Sequence, residues 1–411
     1  MYVSVRGTRP ARTGSAGSGR RAVSATVVLL GLTSLFTDIS SEMVVAVLPL
    51  FATSVLALSP LAFGIIDGIY QGVSTLVRVG GGMTADLTGR PKAVAVAGYG
   101  LSAGAKLALL PVSSGVALGA IVATDRVGKG IRTAPRDALI AASSDQAVLG
   151  KAFGVHRTLD TAGALAGPLI AFALLAAIPN GYDTVFLVSF AAAVVGLAIL
   201  VFLVPNLRTA PAEGPRPSVR SVVRLAAAPR LRRLLVVAGL LSMLTIGDGF
   251  LYLALQRRED FAVKYFPLLF AGTAITYLML AIPFGRLADR YGRLNVFFAG
   301  HIALLGAYGF AFGVTTGLVS VVGCLALLGG YYAATDGVLA AAAAGLSPPQ
   351  LRGSGIALAQ TMVAAGKLVA GIAFGAAWSW YGRDAALIGF ATVLALSLPV
   401  AALLVARSER S

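Results

Sequence analysis

The thirteen residues from Asp125 to Asp137 carry six charged side chains, Asp125, Arg126, Lys129, Arg132, Arg136 and Asp137, within a run that is apolar on either side. Spacings of four, three and four set Asp125, Lys129, Arg132 and Arg136 on one stripe of a helix, with Arg126 and Asp137 roughly 100° round from it. A stripe of fixed cations can hold an anionic group, or it can compete with a carboxylate for a proton. Candidate carboxylates are at hand. Asp38 and Glu42 are four apart in the polar run from Thr37 to Glu42, so they share a helical face. Two carboxylates crowded into a poor solvent favour holding a proton between them, as a proton carrier requires. His156, Asp160, Gly163 and Gly167 also fall on one stripe, a titratable patch beside a small-residue surface that lets helices approach closely.

The elements that must position these groups are membrane helices. The chain has 411 residues, 57% hydrophobic and 12% charged, far more apolar than a soluble domain requires. An ionised group near a bilayer centre costs about 2.5 to 3.5 kcal/mol, so the charged stripe must face a bundle interior or a wet cavity. The lone Cys324 excludes an intrachain disulfide, and two histidines leave little for a metal cage. The formal charge of +16 does not call for nucleic acid. Basic residues gather at 6–21, at Arg90 and Lys92, at 208–233, at 286–293 and at Arg407 and Arg410, in alternate connections between apolar runs. That is the positive-inside pattern, and it predicts both termini in the cytoplasm of a multi-pass inner (plasma) membrane protein surrounded by lipid bilayer.

Twelve spans long enough to cross a bilayer can be marked: 25–55, 60–84, 92–110, 114–142, 150–178, 182–204, 232–256, 264–286, 294–313, 317–344, 353–380 and 382–406. They imply a basic, disordered cytoplasmic arm at 1–23, a six-helix bundle at 24–204, a cytoplasmic linker at 205–231, a second bundle at 232–406 and a tail at 407–411. The halves repeat. Gly82, Asp86, Gly89 and Arg90 recur as Gly285, Asp289, Gly292 and Arg293, displaced by 203 residues, and the same displacement carries Gly150 to Gly353 and Gly163 to Gly366. The expected fold is an all-α membrane protein of two pseudo-symmetric six-helix bundles with a site between them.

In these features the chain resembles the major facilitator superfamily from about Thr26 to Ala406. The loops at 82–90 and 285–293 resemble that superfamily's signature between helices 2 and 3, with Leu87 where a basic residue is usual. Arg126, Lys129 and Gly130 resemble its helix 4 motif, with Lys129 where a glutamine is common. Gly163, Gly167 and Pro168 are similar to the helix 5 motif associated with antiporters. The resemblance implies that helices 1, 4, 7 and 10 line the cavity and that the Asp/Arg pairs of the two loops latch one access state.

Two readings of helix 4 remain. Arg126, Lys129, Arg132, Arg136 and Arg157 line the cavity, or they are consumed by fixed carboxylates; the amino-terminal half holds six buried-type acids against seven bases, nearly even. Candidate proton carriers are Asp38, Glu42, Asp125 and Asp160, with Arg126 or Arg157 as the competing cation; Asp38 could equally be a salt-bridge partner of helix 4. His156 reads as a satisfied core histidine. The second half is quieter: Asp248, Tyr332, Thr335, Asp336 and Lys367 are its polar groups, while Phe250, Tyr252, Phe270 and Tyr277 would supply apolar walls.

Neither P-loop, dinucleotide fingerprint, metal cluster nor nucleophile with a base is evident, so no enzyme activity and no cofactor is expected, and energy should come from a proton gradient. The leading expectation is a proton-coupled secondary transporter, exporting small organic or drug-like molecules as a monomer. The alternative is transport of an organic anion or metallophore on the basic face of helix 4.

Overall fold

The computed structural model describes residues 23–145, 148–207 and 218–409. The expected arm at 1–23 lies outside the described residues but for residue 23, as do residues 208–217 of the linker and 410–411 of the tail. Among the described residues the chain forms fourteen α-helices and no strand. These are α1 (Ala25–Leu50, continued by a π-helical turn Phe51–Val55), α2 (Pro60–Thr88), α3 (Pro91–Ala108), α4 (Gly115–Ala142), α5 (Leu149–Ala177), α6 (Tyr182–Ala198, continued by Ile199–Leu203), α7 (Val219–Ala227), α8 (Pro229–Ser242), α9 (Asp248–Glu259), α10 (Pro267–Tyr291), α11 (Arg293–Phe312), α12 (Gly317–Gly345), α13 (Arg352–Tyr381) and α14 (Arg383–Glu409). Eight helical segments cross a membrane by length and composition alone. The shorter or more charged α2, α3, α4 and the pair α8/α9 complete twelve spans.

Local chemistry sets the ends. Ser24, Ser59 and Ser114 each accept a backbone N–H with the side-chain oxygen at the start of α1, α2 and α4. Both copies of the repeated loop end their helix on a left-handed glycine, Gly89 at φ 61° and Gly292 at φ 96°. The linker holds a short helix, α7, where the sequence showed only a polar connection.

The expected seventh span, 232–256, is not continuous. It breaks between Ser242 and Asp248, and a break inside a membrane must find new partners for the freed backbone groups. Tyr308 supplies two of them: its hydroxyl accepts from the Ile246 N–H at 2.7 Å and donates to the Leu244 carbonyl at 2.8 Å. Gly247 and Gly249 on either side of Asp248 are the sequence mark of this break.

In the first half α1 packs on α5 and α6, and α4 on α2 and α3; in the second, α12 packs on α10 and α11, and α13 on α8 and α14. The halves meet where α2 lies along α13 and α5 along α10. That contact is tight on the face away from the linker. The Leu61 N–H donates to Ser379 Oγ at 2.9 Å, Phe250 packs among Phe63, Phe374 and Trp378, and Phe172 stacks on Tyr265 at 5.9 Å. The interface is therefore sealed on that face, whereas a cavity occupies its linker-side part.

Candidate functional site

Helix 4 is answered within its own half. Asp125, 6% exposed, accepts from Lys106 Nζ at 2.6 Å and from Arg126 Nε at 3.0 Å, and the Arg126 guanidinium lies 4.1 Å from the Tyr70 ring centroid. Arg132 stands over the Tyr99 ring at 4.4 Å and reaches Asp38 at 4.0 Å. Arg136 donates to Asp137 at 3.0 Å and to Ser34 at 3.2 Å, and sits 3.5 Å from Asp160. Asp137 also meets Arg78 of α2 at 3.6 Å. Asp125 is thus the hub of a buried ion cluster, and Arg126 is bonded to Asp125 and not to Asp38 or Asp160.

Those two carboxyl groups meet across α1 and α5. Asp38 and Asp160 are electrostatic neighbours across the packed faces of α1 and α5. Arg132 borders the pair on the Asp38 side; Arg136 and Arg157 border it on the Asp160 side, the latter at 3.4 Å. Lys129 makes no ion pair within 4 Å among the described residues, but Asp38 and Glu42 are its acidic neighbours. The approach of α1 and α5 depends on their glycines: a Cβ on Gly167 would lie 2.8 Å from the Ile39 carbonyl oxygen, and one on Gly163 would strike the Leu35 backbone. Pro168 leaves α5 unbroken. His156 is buried at 3% exposure, yet neither ring nitrogen has a hydrogen-bond partner, so it is a core histidine without the satisfaction expected of one.

Between the halves lies a cavity of about 510 Å³. Gln71, Thr75 and Arg78 of α2, Arg157 of α5, His301 of α11, Thr335 and Asp336 of α12, and Gln360 and Lys367 of α13 give it a polar lining. No α4 residue lines it, which favours the reading in which the helix 4 cations face carboxylates of their own half over the one in which they form its wall. The second half supplies most of the polar lining, contrary to the expected apolar role. Of the four aromatics expected to form apolar walls, Phe250 and Tyr252 are fully buried in the core and Tyr277 lines this cavity, beside Phe297 and Tyr331.

Past Gln71 and Lys367, which border both spaces, lies an inner chamber of about 210 Å³. Glu42 of α1, Asp67 of α2 and Asp248 of α9 line it, with Tyr70, Phe270, Tyr332 and Lys367. Tyr332 donates to Asp248 Oδ1 at 2.5 Å. Asp67 was missed as a site residue. Its signal was present: Gly64, Asp67, Gly68, Gln71, Thr75 and Arg78 recur at helical spacing as a small and polar stripe on α2.

At the repeated loops, Arg293 lies 3.9 Å from Asp289, both exposed, and donates to the Ala341 carbonyl of α12 at 2.8 Å. Arg90 is exposed at the start of α3, and the Asp86 side chain lies outside those described. Gly82 and Gly285 sit half-buried near the ends of α2 and α10.

Two pseudo-repeated bundles around a polar cavity, closed on one face, are the architecture of a membrane transporter. The Major Facilitator Superfamily model matches residues 30–271 and 249–411, and the chain belongs to that superfamily. It is 32% identical to an uncharacterized MFS-type transporter of Methanocaldococcus jannaschii over 370 residues, 87% of this chain and 89% of the relative. Its fold is that of the nucleoside transporter NupG, at TM-score 0.78 and 14% identity, covering 93% of this chain and 99% of that one. A POT family transporter in complex with 5-aminolevulinic acid superposes at TM-score 0.76 and 14% identity, covering 93% and 96%.

Proposed function

We propose that this protein is a proton-coupled secondary transporter that exports small organic molecules across the inner membrane as a monomer, with both termini cytoplasmic. The placing of Asp38 on α1 and Asp160 on α5 as neighbours, bordered by Arg132, Arg136 and Arg157, supports the proton coupling. A hydrogen bond between two carboxyl groups needs a proton on one of them. The three arginines around the pair are ready counter-ions once that proton leaves. Proton occupancy thereby decides whether α1 and α5 are bridged by hydrogen bond or pulled towards separate arginines, a bistable contact between helices that flank the cavity.

Among the small organic or drug-like molecules expected, the lining favours polar solutes, since hydroxyl, amide and charged groups border the 510 Å³ space. The folds that match this one include proteins described as a nucleoside transporter and as a complex with 5-aminolevulinic acid, both consistent with a polar cargo. The alternative of an anion held on helix 4 has less support, because Arg126, Arg132 and Arg136 already face fixed partners.

The deciding experiment uses purified protein in detergent with a pH-sensitive dye, titrated with a panel of nucleosides, amines, amino acids and lipophilic cations. Solute-induced proton release in wild type, lost in Asp38→Asn or Asp160→Asn, is the expected result. Solute binding with no proton movement, together with vesicle flux indifferent to a pH gradient, would remove proton coupling from the reading.

A further inference from the structure

The inner chamber is lined by more acids than bases. Glu42, Asp67 and Asp248 line it, and Lys367 is the one basic side chain among its lining residues. This differs from the first half, where Asp125, Asp137 and Asp160 each have a basic partner within 4 Å. Lys367 itself is not committed: among the described residues no hydrogen bond or salt bridge holds its Nζ, which stands 5.1 Å from the Tyr332 ring centroid. Asp67 is the sharper observation. It is 9% exposed, it lines the chamber, and its Oδ2 has no hydrogen-bond partner. The chain makes room for it, because the backbone break at Gly247 lies directly against that carboxylate and any Cβ there would collide with Oδ2. A buried, unpartnered carboxylate is costly unless it takes up a proton or a cation reaches it, and an ammonium group does the latter.

We propose that the inner chamber is a binding site for the ammonium group of an organic cation, with Asp67 as its principal anchor, Asp248 and Glu42 as supporting charge, and Lys367 as a resident competitor. Aromatic and apolar walls from Phe63, Tyr70, Phe270, Leu48 and Tyr332 suit an alkyl- or aryl-substituted ammonium, whose charge is also attracted by ring faces. The remainder of the molecule would extend past Gln71 and Lys367 into the larger polar cavity. The site names a cargo class for the proposed transporter and rests on that reading only for the meaning of binding, since binding itself requires no gradient.

The test is calorimetric titration of the detergent-purified full chain with benzylammonium and benzyltrimethylammonium, at fixed ionic strength, against sodium as the control. Expected are saturable binding to wild type, at least tenfold weaker binding to Asp67→Asn, and tighter binding to Lys367→Met, from which the resident cation is gone. The last is a gain, which a misfolded protein cannot produce. Affinity unchanged in both variants, absence of binding to both wild type and Lys367→Met, or equal competition by sodium would each overturn the proposal. Any of these results alongside intact solute-induced proton release at Asp38 and Asp160 would leave the transporter reading standing.

Discussion

Gly64 of α2 and Gly371 of α13 touch backbone to backbone: a Cβ on Gly371 would lie 2.9 Å from the Gly64 carbonyl oxygen and 3.0 Å from the Gly68 nitrogen. No side chain fits between them. Helices from opposite halves can cross this closely only because both surfaces are bare, and the crossing holds the far face shut. It lies one to two turns from the aromatic cluster of Phe63, Phe250, Phe374 and Trp378, so sealing by backbone contact and sealing by ring packing occur together.

Gly371→Val is therefore expected to force the far-face ends of α2 and α13 apart and to deplete the conformation described here. Spin labels on Ser59→Cys and Tyr381→Cys, both exposed, placed in a Cys324→Ala background, would report a distance distribution shifted to longer values. An unchanged distribution would mean that the crossing does not determine closure.

The buried ion cluster around Asp125 should behave as structure and not as coupling machinery. Asp125→Asn leaves Lys106 and Arg126, each 3% exposed, without their common anion, and breaking a buried pair in this way costs about 3 to 5 kcal/mol. Adding Lys106→Met removes one of the stranded cations and should recover part of the loss. Thermal unfolding in detergent of the two single variants and the double variant measures the coupling; strictly additive losses would contradict the cluster.

The exposed loop pair is a contrasting case. Asp289→Asn removes a 3.9 Å contact between exposed groups and should cost under about 1 kcal/mol. Arg293→Ala also removes the bond to the Ala341 carbonyl, which ties the start of α11 to α12, and should lower the unfolding temperature more. A latch that governs access predicts further that Arg293→Ala alters transport rate by more than its stability loss explains, read as initial flux per folded molecule.

The architecture was legible in the sequence because its signals are long and redundant. Eleven of the twelve spans marked by apolar length are met by one helix each, and the 203-residue displacement shows the two-fold arrangement without any contact being known. The site was legible in part. The helical spacing of Asp38 and Glu42, and of His156 and Asp160, places each pair on a common face, but whether Asp38 meets Glu42 or Asp160 depends on the packing of α1 against α5. Helix 4 shows the limit most clearly. Its charges were conspicuous in sequence, yet the partners that neutralise them, Lys106 and Asp125 for instance, lie on adjacent helices 19 residues apart. Asp67 was overlooked for the opposite reason: a single acid among glycines is a weak pattern, and it becomes notable only when the break at Gly247 in another helix is seen to face it.

The Arg126 guanidinium gives a last test, separating charge from shape. Its Nε and a terminal nitrogen both bond Asp125 Oδ2, while the flat face of the same group lies 4.1 Å from the Tyr70 centroid on α2. A lysine keeps the charge but is a single point donor, so it can approach the carboxylate or the ring and not serve both with one plane. Arg126→Lys is expected to destabilise the protein by roughly 2 kcal/mol through one lost charge-assisted bond and weakened stacking. Tyr70→Leu should remove only the stacking part, and the double variant should lose less than the sum, since the two changes share that contact. Unfolding temperatures of the three variants settle it: if Arg126→Lys unfolds with wild type, the guanidinium serves as charge alone, and its two-sided placement has no energetic consequence.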